Sequence, residues 1–143
     1  MVHALKLVWN ILHPGGVLIN IQPSGKPPII LARVDGFPQV LGHLKETDDF
    51  IEYFQAKEAI SEVEGLGLFE LEDYSTFEFS TTAATINELR DYLLTSWSDA
   101  IISPEIEAAA DSIFSNHIRS TDSVFGIEIT ETILIQSLKK SAY

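Results

Sequence analysis

The chain has 143 residues, 45% of them hydrophobic, and its 21 acidic and 9 basic residues give a formal net charge of −12. This length is typical of one domain with its own core, and the acidic balance disfavours nucleic acid and anionic lipid as ligands. The chain contains no cysteine, which excludes disulfides, thiolate metal ligands and thiol catalysis. No apolar run approaches the ~20 residues of a membrane span, and the N-terminus has no signal-peptide pattern, so we expect a cytoplasmic protein.

The first elements are a helix and a strand joined by a sharp turn. An apolar stripe at helical spacing predicts a helix over Val2–Leu12. Its members are Leu5, Val8, Trp9 and Leu12. The segment His13–Gly16 ends the helix, because proline cannot continue it and glycine permits a tight turn. Val17–Gln22 then reads as a strand that is apolar on both faces, which is typical of a strand covered on both sides.

A hairpin is predicted next in the chain. Two apolar runs, Ile29–Val34 and Val40–Leu44, flank Asp35 and Gly36, a dipeptide typical of a two-residue hairpin turn. Pro38 lies in the second arm and lacks an amide hydrogen, so that arm should be an edge strand.

The middle of the chain predicts a helix and then a strand. The helix should run over Asp48–Glu64, because acidic residues favour its first turn and Gly65 favours its end. Its apolar side comprises Phe50, Tyr53, Phe54, Ile60 and Val63. Alternating apolar and polar residues predict a strand over Leu68–Ser80, which Tyr74 and Ser75 bend or split in two.

Two further helices and a long strand complete the pattern. Thr85 and Glu88 form a capping box that opens a helix, and Ser103 with Pro104 opens the next. The stripe of the first comprises Ile86, Leu89, Leu93, Leu94 and Trp97. The last strand is predicted over Val124–Leu138, with Ile127, Ile129, Ile133 and Ile135 on one face. The order of elements is that of an α/β protein.

The segment Ala4–Ile19 resembles a part of class I S-adenosylmethionine-dependent methyltransferases. In that family a helix ending in a Leu-x-Pro-Gly-Gly sequence turns directly into the fifth strand, as Leu12–Gly16 leads here into Val17. The resemblance implies a partial Rossmann-like methyltransferase sheet, mixed with antiparallel last strands and covered by helices. Residues 1–143 would form a single domain resembling the C-terminal part of that fold. Leu68–Ser80 and Val124–Leu138 would be its last two strands, one of them antiparallel to the others.

The same resemblance implies that the cofactor-binding half is absent from this chain. The family holds S-adenosylmethionine with a glycine-rich turn after the first strand and an acidic residue at the end of the second. Gly65 and Gly67 precede a strand instead, and the first four strands have no counterpart. We therefore expect no cofactor for this chain alone, and S-adenosylmethionine only if a partner completes the fold. The expected function is that of the substrate-side half of a methyltransferase, inactive alone; the alternative is a small-ligand-binding or self-associating α+β module without enzymatic activity.

Four residues are candidates for the substrate side of such a fold: His13, Gln22, Tyr92 and Trp97. A turn residue at His13, and core packing of the two aromatic residues, are the simpler interpretations. The catalytic residues are not identifiable, and the four histidines have no metal-ligand spacing, so no metal is expected. Glu70, Glu72 and Asp73 are better explained as the solvated face of a strand than as a catalytic carboxylate pair.

The strand Val17–Gln22 also predicts an interaction. Its neighbour in the resembled fold, the fourth strand, has no counterpart here, and an apolar strand with unpaired amides is a template for pairing. We expect a homodimer by antiparallel pairing at this edge, or a partner chain that supplies the missing half. The hairpin within Ile29–Leu44 is the rival, since it could cover the edge within one chain.

Overall fold

The computed structural model describes residues 1–117 and 125–142, which form an α/β fold. The four helices are α1 (Val2–Ile11), α2 (Ile51–Gly65), α3 (Ile86–Ser96) and α4 (Pro104–His117). The strands are β1 (Val17–Pro23), β2 (Ile29–Val34), β3 (Phe37–His43), β4 (Lys45–Glu46), β5 (Phe69–Ala83), β6 (Ala100–Ile101) and β7 (Phe125–Lys140). The predicted start of the last strand, Val124, lies outside the described residues.

Strand β7 is the common partner in the five-stranded sheet. Its C-terminal part pairs with β1, from Val17 opposite Lys139 to Pro23 opposite Ile133. Its N-terminal part pairs with β2, and β5 also pairs with β7. The expected α/β class is confirmed. Within this sheet the pairs β1–β7, β2–β3 and β2–β7 are antiparallel, so the sheet is mostly antiparallel.

The predicted hairpin is confirmed. Asp35 and Gly36 both have positive φ, 51° and 85°, which is the requirement of a type I′ turn between two twisted strands. The second arm, β3, includes Pro38 and stands at the end of the sheet order, as an edge strand should. The hairpin joins the sheet through β2 and β7, not through β1.

Contacts divide the chain into two compact units. Of the described residues, the first comprises 1–25, 51–77 and 132–142, and the second comprises 26–50, 78–117 and 125–131. The core of the first unit is formed by α1, α2 and strand residues: Leu5, Ala59, Ile60, Val63, Phe69 and Leu138. The core of the second unit is larger: Ile30, Leu44, Ile86, Leu89, Leu93, Ile106, Ala110, Ile127 and Ile129.

The helix ends follow their local chemistry. Thr85 accepts a hydrogen bond from the Glu88 amide at 3.1 Å, which confirms the threonine half of the predicted capping box. The Glu88 carboxylate reaches one residue further back and accepts from the Ala84 amide at 2.7 Å. Helix α2 begins at Ile51 rather than Asp48, because Asp49 and Phe50 adopt left-handed φ of 54° and 63°. The Asp48 carboxylate accepts from the Phe50 amide at 3.1 Å and holds this turn.

Two predictions about exposure were wrong. Strand β1 is not covered on both faces: Val17, Ile19 and Ile21 are 44%, 54% and 62% exposed. Leu94 and Phe54, assigned above to apolar stripes, are also exposed, since the helices bury narrower faces than the stripes suggested.

The strand predicted over Leu68–Ser80 continues without a break to Ala83 as β5.

None of the helices in the described residues is long and apolar enough to cross a membrane.

Candidate functional site

The second unit has a cleft at the C-terminal end of α3. It has a volume of about 220 Å³ and is lined by Arg90, Leu93, Leu94, Trp97, Ser98, Ala100, Ile101, Ile102 and Glu107. Arg90 donates to Glu107 of α4 across a 2.7 Å contact, so the cleft combines an apolar wall with an ion pair. The volume is below the roughly 300–1,000 Å³ of typical small-molecule sites, so only a small ligand would fit.

Trp97 connects this cleft to a group of carboxylates. Its indole nitrogen donates to the Glu46 carboxylate, and its ring packs against the core of the second unit. Strand β4 pairs with β6, with Glu46 opposite Ala100, and the Thr47 amide donates to the Asp99 carbonyl at 3.2 Å. The β4–β6 pairing therefore places the segment that begins at Glu46 beside Asp99.

Glu46, Asp48 and Asp99 each direct a carboxylate oxygen to within 4.8 Å of the others. Glu46 is buried, Asp99 is half-buried and Asp48 is exposed. Three carboxylates are ligands that a hard divalent cation prefers. Neighbouring acidic groups also affect Glu131, whose pKa is raised by burial and further by the charge of Glu46. The sequence analysis missed this group, because Asp99 joins it only through the β4–β6 pairing.

A second polar centre lies beside β2. Arg33 donates to the Glu128 carboxylate, which also accepts from the Ser80 hydroxyl at 2.6 Å and the Thr130 hydroxyl at 3.1 Å. These donors, led by Arg33, lower the pKa of Glu128 to about 2, although burial opposes the shift. Because every partner is supplied within the strands, the arrangement is a satisfied structural network rather than a poised acid or base.

The structure does not gather the four predicted site residues into one place. His13 is exposed, and its carbonyl accepts from the Gly16 amide at 2.8 Å, so it is a turn residue. Gln22 is half-buried and lies near the C-terminal end of β1, whereas His13 precedes its N-terminal end. At about 3.3 Å per residue, Gln22 is roughly 17 Å along the strand from Val17. In the second unit, Trp97 lines the cleft, whereas Tyr92 is 43% exposed and is not among the lining residues.

The acidic residues of β5 lie on a solvated strand face, which is the interpretation that their sequence pattern favoured. Glu70, Glu72 and Asp73 are exposed, and Glu72 accepts an ion-pair hydrogen bond from Lys139 at 2.9 Å. The Asp73 carboxylate accepts from the Tyr74 amide at 2.8 Å. These carboxylates therefore belong to a solvated strand face.

The edge of β1 in the first unit is a candidate interface. Two backbone bonds fix the direction of its polar groups: the Lys140 amide donates to Gly16 O, and the Ser24 amide donates to Thr132 O, both at 2.8 Å. In an antiparallel pair these groups alternate, so the even-numbered residues of β1 bond to β7. The amides of Val17, Ile19 and Ile21 consequently point to the opposite edge, which has no strand partner in the described part of the chain.

Comparison of the chain with protein-family models, with curated proteins and with solved structures gives no match.

Proposed function

We propose that these residues form the substrate-side half of a methyltransferase-like domain and that the chain alone does not bind S-adenosylmethionine. The single observation that carries the proposal is the direction of three strands. Strand β7 is antiparallel to β1. Two contacts relate β7 to β5: the Ser141 amide donates to the Leu68 carbonyl, and the Lys139 side chain forms an ion pair with Glu72. Because the β7 partner comes earlier in the chain as the β5 partner comes later, β7 is antiparallel to β5 as well. One strand thus opposes the other two, which is the arrangement the resemblance implies for the last strands.

The turn before β1 gives further support. Helix α1 ends at Ile11, and Gly15, with φ of 73°, reverses the chain so that β1 begins at Val17. At Gly16 a Cβ would lie 2.9 Å from His13 O, so the close turn accepts only glycine without adjustment. The Pro-Gly-Gly sequence therefore performs the helix-to-strand reversal for which the resembled family uses it.

The absence of cofactor binding is tested by calorimetric titration of the chain with S-adenosylmethionine. We expect no heat of binding, because the chain offers no glycine-rich turn opening a helix after a strand, the feature that brings backbone amides close to such a ligand. An intact class I methyltransferase titrated under the same conditions is the positive control. One-to-one binding with a micromolar dissociation constant would refute the proposal.

The strand direction is tested separately by disulfide formation, for which the cysteine-free chain is suited. Asn20 and Gln136 lie opposite each other, and their side chains share a 2.9 Å hydrogen bond. We expect the double variant Asn20→Cys/Gln136→Cys to oxidise to an intramolecular disulfide, since such pairs have Cα atoms about 5.5 Å apart. The control Asn20→Cys/Ile135→Cys places the second thiol on the other face and should remain reduced.

The cleft at α3 supports one alternative function, the binding of a small apolar ligand. Trp97 reports on this cleft, and a Trp9→Phe background leaves it as the single tryptophan of the chain. A small anionic aromatic probe, 4-iodobenzoate, should quench Trp97 fluorescence saturably if the cleft binds ligands, and the variant Arg90→Gln should weaken that binding. Quenching that is linear in probe concentration would exclude this alternative.

A further inference from the structure

The three outer strands of the sheet differ in how their open edges are protected. Solvent-facing edges are usually blunted by proline, by a bulge or by charged side chains, because an unpaired strand otherwise recruits another. Strand β3 carries Pro38, and its pairing with β2 shifts register between Ile30 and Leu31. Strand β5 carries exposed acidic residues: Glu70, Glu72, Asp73 and Glu78. Strand β1 has no charged residue and no bulge, and its only proline, Pro23, is its last residue.

The face of β1 at this edge is apolar as well. Val17, Ile19 and Ile21 are its most exposed side chains, and the alternate residue Leu18 packs on the core of the first unit. The exposed residues are also those whose amides and carbonyls point to the open edge. The edge therefore combines backbone groups that have no strand partner among the described residues with β-branched side chains, the types that stabilise cross-strand pairs.

We infer that this edge pairs antiparallel with the β1 edge of a second copy of the chain, about a twofold axis at Ile19. The register follows from the free amides. An axis at Asn20 would place Pro23, which has no amide hydrogen, opposite Val17. An axis at Ile19 places Ile19 opposite itself and Val17 opposite Ile21, so that each of the three pairs exchanges both of its hydrogen bonds.

A second copy is the occupant because the edge complements itself. A twofold contact requires a surface that matches its own rotated copy. Here the three outward amides, the three outward carbonyls and the three aliphatic side chains all meet their equivalents in one register. The edge is also uncharged in a chain of net charge −12, so the pairing places no like charges of β1 directly opposite each other. This inference rests on the edge geometry and does not depend on the proposed function.

The association is tested by sedimentation equilibrium. We expect wild-type protein to have the mass of two chains and the variant Ile19→Lys to have the mass of one, because an edge lysine disfavours strand pairing without removing an amide. The matched control is Val40→Lys on β3, where the replaced residue is also exposed, at 68%, and the dimer should persist. A wild type that remains monomeric at high micromolar concentration, or a dimer that Ile19→Lys does not affect, would overturn the inference.

The register is tested by oxidation of single-cysteine variants. Ile19→Cys should form a disulfide-linked dimer, because the two thiols lie opposite each other with Cα atoms about 5.5 Å apart. Ile21→Cys should not, since four residues of offset separate its two copies by about 13 Å. Efficient cross-linking of Ile21→Cys and none of Ile19→Cys would overturn this register. A dimer that binds S-adenosylmethionine would refute the proposed function alone, whereas a monomer that does not bind it would refute only the dimer.

Discussion

At the scale of single residues, burial decides which polar groups are structural. Glu128 is 6% exposed, and its carboxylate accepts hydrogen bonds from three side chains. The role of Trp97 is not decided by the sequence, which shows only that the residue stands at the end of an apolar stripe. In the structure Trp97 follows α3 and lines the cleft. Its ring packs against the core of the second unit and lines the cleft, and its indole nitrogen donates to Glu46. One residue therefore serves both the core and the cleft wall.

The Glu128 network makes stability depend on acid. The pKa of Glu128 is about 2 in the folded protein, below its ordinary value of 4.5, so ionised Glu128 stabilises the fold above pH 4.5. That stabilisation is lost as the pH falls from 4.5 through 2. After allowance for the exposed Arg33 guanidinium, we expect a loss of about 1–2 kcal/mol.

Urea unfolding of wild type and Glu128→Gln at a series of pH values measures this effect. The difference between the two free energies of unfolding should shrink below pH 4.5. The variant Glu78→Gln changes an exposed carboxylate of β5 and is the control, whose difference from wild type should be smaller over the same range. A Glu128→Gln difference that does not vary with pH would contradict the assignment.

At the scale of elements, the end of α1 is stabilised by a distant strand. The Lys140 ammonium group of β7 donates to Trp9 O at 2.6 Å and to Leu12 O at 2.8 Å, and it lies 4.1 Å from the centroid of the Trp9 ring. The last carbonyls of a helix have no intrahelical donor, and a cation there also complements the helix dipole. Lys140 therefore fixes the helix immediately before the Pro-Gly-Gly turn.

The adjacent lysines of β7 provide a matched comparison. We expect Lys140→Met to lower the free energy of unfolding by about 1–2 kcal/mol, because it removes two hydrogen bonds and the cation–π contact. Lys139→Met removes only an exposed ion pair with Glu72 and should change stability little. Urea unfolding measures both variants. Equal losses in the two would show that charge, rather than capping of α1, is responsible.

At the scale of the whole molecule, charge opposes folding. The formal net charge is −12, and a compact chain concentrates that charge more than an unfolded one does. Added salt screens this repulsion over about 10 Å at 0.1 M ionic strength. The ion pairs Arg33–Glu128, Arg90–Glu107 and Lys139–Glu72 each involve at least one exposed side chain. Such pairs contribute little to stability, so the stability lost when salt screens them is small.

We therefore expect stability to rise with moderate salt. The urea midpoint should increase when sodium chloride is raised from about 20 mM to about 200 mM, a range in which screening changes most. The experiment is done at one fixed protein concentration, because association would otherwise alter the apparent stability. A midpoint that falls with salt would mean that favourable ion pairs outweigh the net repulsion.

The sequence by itself determined the local elements of this protein. The capping box at Thr85, the type I′ turn at Asp35 and the turn after α1 depend on residues a few positions apart, so their chemistry is visible in the sequence. The edge position of β3 was predictable for the same reason, since a proline within a strand cannot donate to a neighbour. The α/β class followed from the order of these elements.

Only the tertiary structure decided which faces are covered and which distant residues meet. The apolar residues of β1 suggested burial on both sides, but coverage depends on what packs there, and one face remains exposed. The pairing of β7 with β1, β2 and β5 was not encoded in any local pattern. Glu46 and Asp99 are likewise far apart in sequence and meet because β4 pairs with β6. Long-range pairing is set by the summed packing of the whole chain, which no short window of sequence contains.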